Sequence, residues 1–203
     1  MSDYPLELDV GFAPDTEKKI EEWRSATRGV VSGQQFDNAI RLAVNRALDA
    51  ATAKGKQVAR RSYTIDKGTL DKATRPRHAG TGSLTAVLEF RGRRVPAVNF
   101  EQPQQTPEGV AVKFKKDGGG IIESAFLGKL GKKTDVFIRK FRGKGSAELG
   151  TPGTHGRFPI ISLTGPAVVS MVGHEKAAAE IQARAREILD KRIDHEMKRV
   201  LTK

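Results

Sequence analysis

The sequence predicts an α+β protein in which long helices, in the N-terminal half and at the C-terminus, pack on a small, mostly antiparallel β-sheet or partial barrel with long basic loops. Three observations predict it. Apolar residues recur at three- and four-residue steps from Phe36 to Ala51 and again from Ala178 to Leu201. Between these helices several short runs alternate apolar and polar residues with period two, and glycine- and lysine-rich stretches separate the runs. A chain of 203 residues is long enough to bury a core, and a single domain over 1–203 is expected, with extended interaction loops at 115–135 and 143–157.

Taken in order, Leu6, Leu8, Val10 and Phe12 alternate with Glu7, Asp9 and Gly11 as a half-buried strand. Pro14-Asp15-Thr16-Glu17 opens a helix, with Asp15 as cap and acidic residues where the helix dipole favours them. Ile20, Trp23 and Ala26 mark its buried side. Ser32 and Gln35 have the spacing of a capping box. The helix they start turns Phe36, Ile40, Ala43, Val44, Ala47, Leu48 and Ala51 inward and Arg41, Asn45, Arg46 and Asp49 outward. It runs to Ala59, and Gly55 is a point where it could bend.

A short helix is expected over Tyr63–Ala73, capped by Thr64, with Ile65 and Leu70 inward. Arg75-Pro76-Arg77-His78 and Gly80-Thr81-Gly82 break the chain before a strand carrying Leu84, Ala86, Leu88 and Phe90. Arg91-Gly92 turns it, and Arg94–Phe100 returns as a strand in which Pro96 demands an edge position. Val110, Val112 and Phe114 form a further strand with Lys113 and Lys115 on its other face. Lys115–Gly120 reads as a hairpin loop and Ile121–Leu127 as the strand pairing back. Gly128–Lys133 is flexible and basic, Val136–Ile138 a short strand, and Gly143–Gly156 too long for a simple connector.

Arg157–Val172 contains Pro159 and Pro166, each lacking a backbone donor, so the segment fits an edge strand or extended connector. Gly165 before Pro166 implies a sharp corner. The last helix begins at Glu175 and carries Ala178, Ile181, Ala185, Ile188, Leu189, Met197, Val200 and Leu201 on one face. Glu180 with Arg184 and Glu187 with Lys191 have the favourable i,i+4 order.

The net charge of +12 is concentrated in one place. Residues 1–53 hold six Lys/Arg against nine Asp/Glu, residues 54–144 hold 21 against eight, and residues 145–203 hold nine against seven. The middle therefore suits phosphate backbones or an acidic protein surface. The chain has no cysteine, which removes disulfides and thiolate chemistry and fits a reducing cytoplasm. Met1–Pro5 has no basic and apolar leader pattern, and no apolar run approaches the roughly 20 residues that span a bilayer.

Catalytic chemistry finds no footing. His78, His155, His174 and His195 are scattered, without metal-ligand spacing. The glycines at Gly118–Gly120 and Gly150–Gly153 lack the lysine, serine and strand-to-helix setting of a P-loop. No acid, base and nucleophile set can be named, and no cofactor is expected.

Val136-Phe137-Ile138-Arg139, followed by Arg157-Phe158-Pro159-Ile160 and Leu163-Thr164-Gly165-Pro166-Ala167-Val168, resembles the minor tail protein Z family of prophages and long-tailed bacteriophages. The resemblance covers most of the chain, including the alanine-rich helix, Tyr63-Thr64-Ile65, Arg94-Val95-Pro96 and the C-terminal helix. It implies a non-catalytic virion protein of the tail-completion or head-to-tail neck type, made in the host cytoplasm. Such a protein forms a homo-oligomeric ring, usually hexameric, at the head-proximal end of the tail. The implied partners are further copies of the chain and neighbouring tail-terminator, tail-tube or neck/connector proteins, with contact to genomic DNA in passage as the other use of the basic surface, and no membrane.

On that reading Arg91, Arg93, Arg94, Lys113, Lys115, Lys116, Lys129, Lys132, Lys133, Arg139, Lys140 and Arg142 are the candidate subunit-interface or DNA-facing residues. Arg157, Pro159, Gly165 and Pro166 form a candidate clamp that returns the chain from an inter-subunit arm to the body. An assembly chaperone or a sequence-independent DNA-binding protein is the alternative.

Overall fold

The computed structural model describes residues 6–10, 14–131, 133–139 and 160–202. In chain order the elements are β1 (Leu6–Val10), α1 (Pro14–Ala26), α2 (Gly33–Ser62), α3 (Lys67–Ala73), β2 (Thr74–Arg77), β3 (Ala86–Phe90), β4 (Arg94–Pro96), a 3-10 turn (Ala97–Asn99), β5 (Glu101–Gln105), β6 (Gly109–Lys115), β7 (Gly118–Glu123), β8 (Ala125–Leu130), β9 (Lys133–Arg139), β10 (Ile160–Ser162), β11 (Thr164–Ala167), α4 (Val168–Val172) and α5 (Glu175–Leu201). The fold is α+β, and its strands form four small antiparallel sheets with no closed barrel among the described residues. The chain divides into two compact units, one comprising Met1–Val58, Asp71–Gly92 and Val172–Lys203, the other Ala59–Leu70 and Arg93–Met171.

The first unit is built on two amphipathic helices. The Ser32 side chain accepts from the Gln35 backbone N–H at 3.3 Å, and the Gln35 side chain accepts from the Ser32 N–H at 3.1 Å, so the capping box closes in both directions. Behind it Ile40, Ala43, Val44, Ala47 and Leu48 of α2 are buried, as are Ile181, Leu189, Ile193 and Met197 of α5. Each large aliphatic side chain so removed from water stabilises the fold by roughly 1.5–3 kcal/mol.

Helix α2 runs uninterrupted through Gly55. A Cβ there would come within 2.6 Å of the Phe90 ring tip and 3.5 Å of Ile181, so the missing side chain lets the helix approach β3. The three-stranded sheet has the order β1-β3-β2, and Leu8, Leu88 and Pro76 lie in register across it. The Arg75–Arg77 stretch, which reads as a chain break, is therefore an edge strand, and Pro76 is tolerated because an edge needs fewer donors.

Helix α1 is tied to α5 by polar contacts around one carboxylate. Lys19 Nζ donates to Asp194 at 2.8 Å and to the Asp190 backbone oxygen at 3.0 Å, and the Trp23 indole N–H donates to the other Asp194 oxygen at 3.1 Å. Burial alone would raise the Asp194 pKa, but the hydrogen bonds from Lys19 and Trp23, with the Lys19 charge, hold it below the usual aspartate range.

The second unit holds three sheets, in the orders β5-β6-β7, β8-β9-β10 and β4-β11. Ala97, Val110, Val112, Ala125 and Val136 form its core, with Phe114, Ile122, Leu127, Ile138 and Leu163 packed around them. Phe100 and Phe114 meet edge to face, ring centres 4.9 Å apart. Gly165 passes directly beside them: an added Cβ would lie 2.7 Å from a carbon of each ring.

Several expected elements change here. Thr64 caps no helix; its hydroxyl bonds to the Lys113 and Phe114 backbone oxygens. Asp66 caps α3 instead, accepting from the Thr69 N–H at 2.8 Å. Arg94–Pro96 does not return along β3 but pairs with β11, Arg94 opposite Ala167 and Pro96 opposite Thr164. The segment 115–135, expected as an extended loop, is almost wholly strand: the turn is only Lys116-Asp117, and Gly118–Gly120 belong to β7, with Gly120 opposite Val112. The 143–157 loop lies outside the described residues.

Candidate interaction groove

One open groove of about 590 Å³ lies within the second unit, lined by Tyr63, Arg94, Val112, Phe114, Lys115, Gly118 to Ile122 and Pro166. Its origin is the glycine run. Val112 and Phe114 of β6 line the groove, and Gly118 and Gly120, lying on the same side as Val112 by strand alternation, add no side chain there. A Cβ at either glycine would meet no atom within 4 Å. The apolar floor is flanked by Arg94 and Lys115, the only charged residues in the lining, and both are cationic.

Each of the two exposed cations has a contact beside the groove. Arg94 Nε donates to the Gly165 carbonyl at 3.3 Å, which fixes the side chain along β11. The Lys115 ammonium stands 6.0 Å from the Tyr63 ring centre, at the outer limit of cation–π attraction. A smaller hollow of about 350 Å³ lies over the same sheet, where Lys113 faces Glu101 at 3.3 Å beside Gln102, Gln104 and Ala111, and it shares Val112 and Gly119 to Ile121 with the larger groove.

The described basic residues of the second unit do not all meet at the groove. Arg94 and Lys115 converge on the groove with Pro166, while Lys113 lies on the opposite face of the sheet, neutralised by Glu101. Lys116 sits in the exposed turn, its backbone N–H donating to Ser62 at 2.9 Å. Lys129 and Lys133 are exposed near the tip of the β8–β9 hairpin, and the Arg139 guanidinium lies 5.4 Å over the Phe126 ring. Arg93 is exposed in the second unit. Arg91 belongs to the first unit and is bound to the buried Glu89 carboxylate. Lys132, Lys140, Arg142, Arg157 and Pro159 lie outside the described residues.

Tyr63 and the three glycines are groove residues that sequence reasoning missed. Tyr63 gave one usable signal, an aromatic directly after the last helical turn and before a β-branched pair; the glycines gave none beyond their number. Of the clamp, Gly165 is buried and Pro166 lines the groove, so the two lie where β11 meets the aromatic pair.

The groove can hold an extended apolar segment and pair a carboxylate with Arg94 or Lys115. The second unit as a whole carries sixteen Lys/Arg against seven Asp/Glu, the first twenty against seventeen. Among the described residues no group of three or more His, Cys, Asp or Glu could hold a metal ion, and no helix is long and apolar enough to cross a membrane. No protein-family model, curated protein or solved structure matches the chain.

Proposed function

We propose that the chain is a structural virion subunit of a long-tailed phage or prophage, a minor tail or tail-completion protein that forms a homo-oligomeric ring at the head-proximal end of the tail and helps join tail to head. One observation carries the reading. Several of the short motifs behind the resemblance to the tail protein Z family, though dispersed in sequence, meet in the second unit. Arg94–Pro96 pairs with Thr164–Ala167, and Val136–Arg139 with Ile160–Ser162. Leu163 joins the two pairs, its N–H donating to Val136 at 2.8 Å and its carbonyl accepting from Ala97 at 2.9 Å. Tyr63, from another of these motifs, and Arg94 and Pro166 line one groove.

In this role the groove receives an acidic, apolar segment of a neighbouring tail or neck protein, and Arg94 and Lys115 set its orientation. The test is genetic and compositional. Deleting the gene from a phage or inducible prophage that encodes it should leave filled heads and separate tails, restored by the protein in trans, and mass spectrometry of purified virions should find the chain. Arg94→Ser with Lys115→Ser should fold normally yet lower rescue by about tenfold or more, the scale of two lost charge-assisted contacts. Joined, infective particles without the protein would refute the reading. Tight, steeply salt-dependent binding of the purified chain to duplex DNA would favour the nucleic-acid alternative.

A further inference from the structure

Sheet edges are normally guarded by proline, lysine or arginine, or by brevity. Among the described edge strands β2 has Arg75, Pro76 and Arg77, β5 has Pro103, β8 has Lys129, β4 and β11 have Pro96 and Pro166, and β10 is three residues long. Strand β1 carries Glu7 and Asp9. Strand β7, Gly-Gly-Gly-Ile-Ile-Glu, has six residues, an outer side with no described partner strand and no charge before its last position. Two of its three glycines have no internal explanation; at Gly119 a Cβ would lie 3.2 Å from the Val112 carbonyl oxygen. None has positive φ, and Gly118 and Gly120 have open space where a Cβ would go. Ile121 is 46% exposed.

We propose that β7 is a self-pairing edge, by which two copies of the chain join their β7 strands antiparallel about a two-fold axis at Gly120. A two-fold axis normal to the sheet keeps each face on its own side, so facing positions must lie on the same face of the pleat. Centring on Gly120 places Ile122 opposite Gly118 of the second copy and Ile121 opposite its Gly119. On the Gly118 and Gly120 face, Ile122 of each strand then fills the open space beside Gly118 of the other; on the opposite face Ile121 lies beside Gly119, next to the Lys113 side chain. A centre at Ile121 would set the two Ile121 side chains against each other and leave Gly118 uncovered. A centre at Gly119 would put Ile122 against Lys116.

In the Gly120 register Glu123 of each copy falls opposite Asp117 of the other, a like-charge pair at each end of the ladder that the neighbouring Lys116 offsets and that weakens the contact. Ladder hydrogen bonds extend the three-stranded sheet to six strands. Six paired residues bury little area, so the pair is weak and concentration-dependent. It is independent of the virion reading, because a ring closes through head-to-tail contacts whereas this contact is isologous.

The full chain has no cysteine, so any disulfide reports an introduced thiol. Gly120→Cys puts two thiols face to face at the axis; Ser124→Cys puts them about 26 Å apart, eight residue steps of about 3.3 Å. Under mild oxidation Gly120→Cys should give covalent dimer at least about tenfold faster than Ser124→Cys. Sedimentation velocity of the unmodified chain should show monomer and dimer in concentration-dependent exchange. Gly120→Lys, which has room for its side chain but sets two ammonium groups against each other, should remain monomeric with an unchanged circular dichroism spectrum. Equal oxidation rates for the two cysteine variants would overturn the proposal. So would sedimentation of the unmodified chain indistinguishable from Gly120→Lys at every concentration, or a larger assembly that Gly120→Lys leaves intact.

Discussion

At Gly55 and Gly165 the absence of one carbon atom decides the packing. Helix propensity alone favours alanine over glycine by about 1 kcal/mol within α2. The Phe90 ring tip 2.6 Å from the position of a Cβ is fully buried and has nowhere to move, so Gly55→Ala should nonetheless destabilise, by about 1–3 kcal/mol in urea unfolding. Gly165→Ala should cost a similar amount, since rings of both Phe100 and Phe114 stand in the way. Gly118→Ala and Gly120→Ala should do the opposite and raise stability by about 0.5–1 kcal/mol each, because nothing crowds them and alanine has less freedom to lose on folding. Thermal melts of the four single variants would separate the two classes. In sequence all four positions are simply glycine: whether such a residue marks a close approach, a corner or an open edge is set by what packs beside it.

At the level of the element, the helices were legible because their periodicity is local. The stripe from Phe36 to Ala51 and the capping pair Ser32 and Gln35 specify α2 without reference to anything else, and the α5 stripe does likewise. Of β7 only the Ile121–Glu123 half is legible, as the start of the strand expected to pair back; Gly118–Gly120 has no alternation and becomes strand by pairing with β6. Strand β4 was assigned the wrong neighbour because its partner β11 is remote in sequence, and local pattern carries no record of remote pairing.

The α1–α5 junction shows how one carboxylate organises two elements. The folded-state pKa of Asp194 is depressed, so the unfolded chain binds a proton more readily. The stabilisation is present above the unfolded-state pKa and is lost as pH falls through the lower folded-state value. Asp194→Asn should flatten the acid limb of the stability–pH curve, measured by urea unfolding across the acidic range. Glu187, held at about 2 by hydrogen bonds from Lys191 and Arg184, is on the solvent side of α5, where screening leaves such pairs little net effect. Glu187→Gln should barely move the same curve.

For the whole molecule, composition located the positive charge but not its arrangement. The basic middle of the sequence falls mainly in the second unit, yet Lys113 is spent on Glu101 and Arg91 on Glu89, leaving Arg94 and Lys115 as the cations that share a groove. The groove itself could not be read, since it draws on Tyr63, Arg94, the β6–β7 hairpin and Pro166, segments that only folding assembles. Its charge predicts a partner preference. An acidic, apolar peptide should be retained at moderate ionic strength by the unmodified chain and released by Arg94→Ser with Lys115→Ser, whereas a basic peptide of equal length should not be retained by either. Binding isotherms at two salt concentrations would check it.

The chain contains one tryptophan, and its indole N–H is bound to Asp194. Emission from Trp23 therefore comes from the contact between α1 and α5 alone. A red shift that precedes the loss of helical circular dichroism on acidification would reveal α1 peeling from α5 while the rest of the unit stays folded, a local opening made visible without any added label.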